Sequence, residues 1–151
     1  MNTTKTFAET TGTSPSPHVL IVDDDDLIRG MIQLLLEPYG FSVSVATNGD
    51  EVVRAISHPP CPVDVILLDM HIGKENGLSV FSQIHALAPT TKVVFLSGLN
   101  PPPEVTQLCA QRKAWFMPKP FKGEDLVTVL AKAIVEPAAP HDKAIPVLAR
   151  K

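Results

Sequence analysis

Short apolar runs and amphipathic stretches alternate along this chain from residue 18 to residue 136. The apolar runs are HVLIVD (18–23), FSVSVA (41–46), VDVILLD (63–69), KVVFLS (92–97) and AWFM (114–117), each of strand length. The first, third and fourth are continuously apolar, as strands buried on both faces are, whereas FSVSVA alternates and predicts a half-exposed edge. Between the first two runs, apolar positions 27, 28, 31, 32, 34, 35 and 36 recur at helical spacing, and Pro38 and Gly40 end the helix predicted over 27–39. Segments 50–57, 78–87, 104–111 and 124–135 fill the other helical slots. Five βα units predict an α/β domain built on a parallel sheet.

Composition adds the boundaries. Residues 1–17, rich in Thr, Ser and Pro, and residues 137–151, rich in Ala and Pro, lack apolar periodicity. They are expected to be a disordered leading segment and a flexible tail around one domain at 18–136. With 151 residues, 44% hydrophobic and 19% charged, the chain has the make-up of one soluble globular domain and no room for a second catalytic one.

The net charge is −3, with 14 acidic and 9 basic residues in 18–136, so no basic patch points to nucleic acid. Neither an 18-residue apolar run nor an apolar stretch in MNTTKTFAETTGTSPSPH is present, which argues against a membrane span or secretory signal and for the cytoplasm. Cys61 and Cys109 lack metal-ligand spacing and read as ordinary thiols.

Candidate chemistry lies at the carboxyl ends of the apolar runs, where open parallel sheets gather functional groups. The first run ends in Asp23 and Asp24, the third in Asp69 and the fourth in Ser97, and Lys119 follows the fifth in MPKPF. Clustered carboxylates suit Mg2+, a hard cation that takes one or two of them together with water and phosphate oxygens. Asp69, alone at the end of a buried strand, is the candidate nucleophile toward phosphorus, with Ser97 and Lys119 placed to bind phosphoryl oxygens. Taken singly, each of these residues has an ordinary structural reading. Of the four consecutive acids, Asp26 is expected to cap the first helix and Asp25 to be merely solvated.

Together these residues resemble the receiver domain of bacterial two-component response regulators over 18–136. LIVDD matches the paired acids Asp23 and Asp24, VILLDM the phosphoacceptor Asp69, and GKENG the glycine at Gly77. VVFLSG matches the switch hydroxyl at Ser97 and PKPF the Lys119–Pro120 bond, commonly cis in that family. The resemblance implies a flavodoxin-like doubly wound (βα)5 sandwich of strand order 2-1-3-4-5. It also implies Mg2+, or Mn2+ in its place, held by Asp23, Asp24, Asp69 and the backbone carbonyl of His71, with Phe116 as the switch aromatic. The His71 imidazole itself reads as solvent-exposed.

The implied function is a non-enzymatic, stand-alone receiver. It would take a phosphoryl group on Asp69 from a histidine kinase or histidine phosphotransfer protein and signal to another protein through the fourth helix, fifth strand and fifth helix. That face is also where a homodimer would form.

Several residues depart from the family pattern. Gly73 stands where proline is usual, so the loop after Asp69 is expected to be more mobile; Arg112 and Lys113 replace a Gly-Ala pair; Phe116 replaces a frequent Tyr; and Pro101, Pro102 and Pro103 should delay the fourth helix. Two other readings compete. A phosphorylation-independent binding module would use the same fold, and a phosphatase of the haloacid dehalogenase type would need a second acid where His71 stands.

Overall fold

All five apolar runs become strands of one parallel sheet in the structure, a computed structural model that describes residues 16–58 and 62–136. The strands are β1 (His18–Val22), β2 (Ser42–Ala46), β3 (Val65–Asp69), β6 (Lys92–Ser97) and β7 (Trp115–Pro118), and a two-residue hairpin, β4 (His71–Ile72) and β5 (Glu75–Asn76), follows β3. Helices α1 (Asp26–Leu36), α2 (Gly49–Ser57), α3 (Gly77–Leu87), α4 (Pro103–Ala110) and α5 (Gly123–Val135) connect them. The sheet order is β2-β1-β3-β6-β7, which is 2-1-3-4-5 once the hairpin strands are set aside. The expected disorder in 1–15, the expected flexible tail at 137–151 and the Cys61 thiol lie outside the described residues.

Alternation along each strand divides the core between the two faces of the sheet. Val19 and Ile21 of β1 pack with Ile32 and Leu36 of α1 and with Leu126 and Leu130 of α5. Leu20 and Val22 pack on the other face with Val52, Val80, Phe81 and Val105 from α2, α3 and α4. Central β3 is buried along its whole length, while β2, the alternating run, is an edge.

The helical stripe on α1 is wider than the face it buries. Ile32 and Leu36 are inside, but Leu27, Met31 and Leu34 stand exposed. The cap of α1 also differs from expectation: Asp25, not Asp26, is the N-cap, its carboxylate accepting from Leu27 N (2.9 Å) and Ile28 N (3.4 Å). Asp25 has the extended backbone (φ −96°, ψ 115°) that a cap requires, whereas Asp26 is already helical.

Helix α4 begins at the third of the three prolines, Pro103, in a first-turn position where a missing N–H costs nothing. It ends in a Schellman motif, with Arg112 N donating to Cys109 O (3.0 Å) and Lys113 N to Leu108 O (2.9 Å). The motif needs a left-handed residue, and Arg112 fills it at φ 60°. A side chain there costs about 1 kcal/mol that glycine avoids. Arg112→Gly is therefore expected to stabilise the chain by about that amount, measured as a higher urea midpoint at unchanged slope.

At the carboxyl end of α5, Lys92 Nζ donates to Ala133 O (2.8 Å) and to Glu136 O, and lies 5.8 Å from the Trp115 ring centroid. An ammonium bound to the last carbonyls of a helix favours its dipole and ties α5 to the start of β6.

Candidate functional site

Parallel register brings the chemistry to one rim. Val22 pairs with Leu68, Asp69 with Leu96, and Ser97 with Pro118, so Asp23, Asp69, Ser97 and Lys119 all stand at the carboxyl edge of adjacent strands. Lys119 N donates to Ser97 O (2.8 Å), which ties the two loops together, and the Lys119–Pro120 bond is cis. Asp23 and Ser97 are buried and Asp69 nearly so, its side chain 11% exposed, whereas Asp24 is exposed at the mouth.

The acids form a compact set. Asp23, Asp24 and Asp69 each offer a carboxylate oxygen within 4.8 Å of the others. Lys119 Nζ lies 3.6 Å from both Asp23 Oδ2 and Asp69 Oδ1, close enough for ion pairing and too long for a hydrogen bond. Asp23 Oδ1 accepts from Asp25 N (2.9 Å), but its Oδ2 is buried without a hydrogen-bond partner. Burial pushes the Asp23 carboxyl above the usual carboxylate range and the charge of Asp69 adds to the rise, while the Asp25 N–H and Lys119 oppose it.

Three carboxylates against one ammonium leave two negative charges uncompensated, and one buried oxygen is without a donor. Hard oxygen donors, the charge deficit and the orphaned Oδ2 all fit a divalent cation such as Mg2+.

The segment after Asp69 is a two-residue hairpin, not a loose loop. His71 pairs with Asn76 and Ile72 with Glu75, and Gly73 at φ 58° supplies the left-handed turn residue. Gly73 N donates to Asp24 Oδ2 (2.9 Å), and Glu75 Oε1 accepts from Gly49 N (2.7 Å) at the start of α2. The glycine that was expected to loosen this segment instead provides the N–H that fastens it; a proline at 73 would have none. The His71 side chain is exposed, as expected, and its N–H lies 3.4 Å from Asp69 Oδ1.

Ser97 Oγ accepts from Leu99 N (3.1 Å), and Phe116 is half-buried against the α2–α4 face of the core, in register with Phe95. The structure thus brings together Asp23, Asp24, Asp69, Ser97 and Lys119, with Phe116 two positions before the end of β7 at Pro118. Arg29 was missed from sequence: its Nη1 donates to the carbonyl of Asp23 (2.7 Å) and its Nη2 to Asp26. An arginine three residues after Asp26 in a first helical turn was the available signal.

Comparison with known proteins gives a consistent answer. The sequence model of the response regulator receiver domain matches residues 19–131. Transcription factor SKN7 of Candida albicans is 25% identical over 135 residues, covering 89% of this chain and 24% of that protein. Sensor kinase CckA of Brucella abortus is 27% identical over 130 residues, covering 86% and 14%. The chain therefore spans about a quarter or less of the length of these two relatives.

Among solved structures, Vibrio cholerae chemotaxis protein CheY4 superposes with TM-score 0.69 at 24% identity, over 78% of this chain and 98% of that one. NtrX from Brucella abortus superposes with TM-score 0.66 at 27% identity, over 79% and 27%. No helix among the described residues is long and apolar enough to cross a membrane.

Proposed function

The chain belongs to the response regulator receiver domain family, and from that premise we propose that it is a phosphorylation-switched signalling module whose phosphoacceptor is Asp69. The observation that carries this reading is the convergence of a buried, donor-poor carboxylate, Asp23, with Asp69 and a lysine 3.6 Å from both. Such a pocket is short of positive charge and lined with oxygen donors, as a site for a cation and a phosphoryl group must be.

In the proposed reaction, a carboxylate oxygen of Asp69 attacks the phosphorus of a phosphohistidine on a histidine kinase or histidine phosphotransfer protein. The P–N bond breaks as the new O–P bond forms, and the departing imidazole keeps the electron pair of the P–N bond. Lys119 pairs with the transferred phosphoryl oxygens, and the Ser97 hydroxyl gives up its bond from Leu99 N to donate to them. Asp23, Asp24, Asp69 and the His71 carbonyl would hold Mg2+ (or Mn2+), which when bound neutralises charge on the phosphoryl oxygens.

The response is a population shift, limited by what the phosphoryl contacts supply in free energy. Ser97 moves toward the pocket and Phe116, packed in the adjacent strand, turns into the space released. The altered surface is α4, β7 and α5, through which a downstream protein is bound and on which two copies would pair. The setting is the cytoplasm, and the module performs no turnover of its own.

Incubation with Mg2+ and a small phosphodonor is expected to add one phosphate, read by intact mass, and Asp69→Asn is expected to add none. Equal uptake by Asp69→Asn removes the assignment. Uptake by the wild type without any change in the amide shifts of α4 and β7 favours the phosphorylation-independent binding module instead.

A further inference from the structure

We propose that Arg29 is a positioning residue for the acid pair, fixing the peptide plane between Asp23 and Asp24 so that both carboxylates meet Asp69. The inference rests on the cation-binding reading above. The carbonyl that accepts from Arg29 Nη1 at 2.7 Å is that of Asp23, and it belongs to the peptide unit joining Asp23 to Asp24. Holding this oxygen limits rotation about the backbone bonds on either side, which set the directions of the two carboxylates.

The remaining contacts of Asp23 complete the clamp. Its N–H donates to Ala46 O (3.2 Å) and its Oδ1 accepts from Asp25 N (2.9 Å). With Arg29 on the carbonyl, every hydrogen-bonding atom of Asp23 except Oδ2 is engaged, and Oδ2 is the atom facing the pocket. Asp24 Oδ2 is aimed from the other side by Gly73 N.

The choice of arginine has a physical reason. Its side chain is only 13% exposed, while Asp26, the other acceptor of its fork, is 88% exposed. An ion pair that open to water contributes little energy. The Asp26 contact orients the guanidinium, and the half-buried carbonyl contact does the holding. One planar fork reaches both acceptors, whereas a lysine ammonium offers a single point of attachment. Arg29 also sets a positive charge beside the run of four aspartates.

Isothermal titration of the full chain with Mg2+ tests this. Loss of a residue that orients metal ligands weakens binding by about tenfold or more, and Arg29→Gln is expected to do so. Arg29→Lys is expected to give an intermediate constant, and Asp26→Asn, which spares the carbonyl contact, one close to wild type. An unchanged constant in Arg29→Gln, with a melting temperature lowered in the absence of Mg2+, means a purely structural role and overturns the proposal. Full affinity in Arg29→Lys also overturns it, because charge alone would then suffice. If the wild type itself takes up no Mg2+, the cation reading fails first and this inference with it.

Discussion

Saturating Mg2+ is expected to raise the melting temperature of the wild-type chain by about 8 °C, and Asp24→Asn to lose most of that rise. A ligand at a hundred times its dissociation constant stabilises the folded state by about 2.7 kcal/mol, and a domain of this size gains about 3 °C per kcal/mol. The effect arises because the fold forces three carboxylates together against one ammonium, with Asp23 Oδ2 buried and unpartnered. Asp23→Asn separates the charge of this group from its hydrogen bond. It keeps an oxygen for the Asp25 N–H and removes the charge, so it is expected to raise the melting temperature without Mg2+ and to abolish the response to it.

The pH dependence has a definite sign. Because burial raises the Asp23 carboxyl in the folded state, its ionisation costs stability in full above that raised value, and the cost is lost progressively as pH falls from there to the ordinary carboxylate value. The advantage of Asp23→Asn over the wild type, both without Mg2+, should therefore close in acid. Differential scanning fluorimetry across pH, with and without the ion, measures all of these shifts. A melting temperature indifferent to Mg2+ would remove the cation from the account.

Gly77→Val is expected to destabilise the chain by about 3 kcal/mol, the upper range for overpacking against a rigid neighbour. A Cβ on Gly77 would lie 2.8 Å from Asp69 O, 2.9 Å from Met70 Cα and 3.2 Å from Met70 O, all of them backbone atoms. Gly77 N also donates to Met70 O (2.7 Å), so the close approach of α3 to the end of β3 is what seats Asp69. The variant should thus lose Mg2+ affinity as well as stability. Gly30→Ala is the control: its Cβ meets nothing within 4 Å, and in the exposed middle of α1 alanine is favoured by about 1 kcal/mol. Urea denaturation of both variants gives the two signs. Equal stability of Gly77→Val and the wild type would mean that α3 and β3 do not touch as described.

Legibility in the sequence followed burial. Runs at β1, β3 and β6 were readable because both faces of those strands are covered and every position between their ends is apolar, and β2 because an edge strand alternates. The pocket residues Asp23, Asp69, Ser97 and Lys119 were readable because each is a polar residue at or just after the end of an apolar run. Element ends moved by one to three residues: β7 runs from Trp115 to Pro118, one residue later than the run AWFM, β3 starts at Val65 rather than 63, and α1 ends at Leu36, with Glu37–Tyr39 a 3-10 turn. Short-range polar choices were harder. Four adjacent aspartates present the same side chain at every register, and only the backbone angles select Asp25 as the cap.

Part of what stayed hidden is held by contacts distant in sequence. Gly73 meets Asp24 across 49 residues and Glu75 meets Gly49 across 26, distances over which no local pattern reports. The hairpin carrying Gly73 and Glu75 has two residues per strand, too few to show a period. The left-handed residue after α4 was disguised by the absence of glycine, since Arg112 takes that conformation at an energetic cost.

Borohydride trapping tests the central claim most directly. Reduction of an aspartyl phosphate yields homoserine, so the chain treated with Mg2+ and a small phosphodonor, then reduced and digested, should carry homoserine at position 69 alone. Homoserine at 23 or 24, or none at 69 in a chain that has gained the mass of one phosphate, would contradict the account.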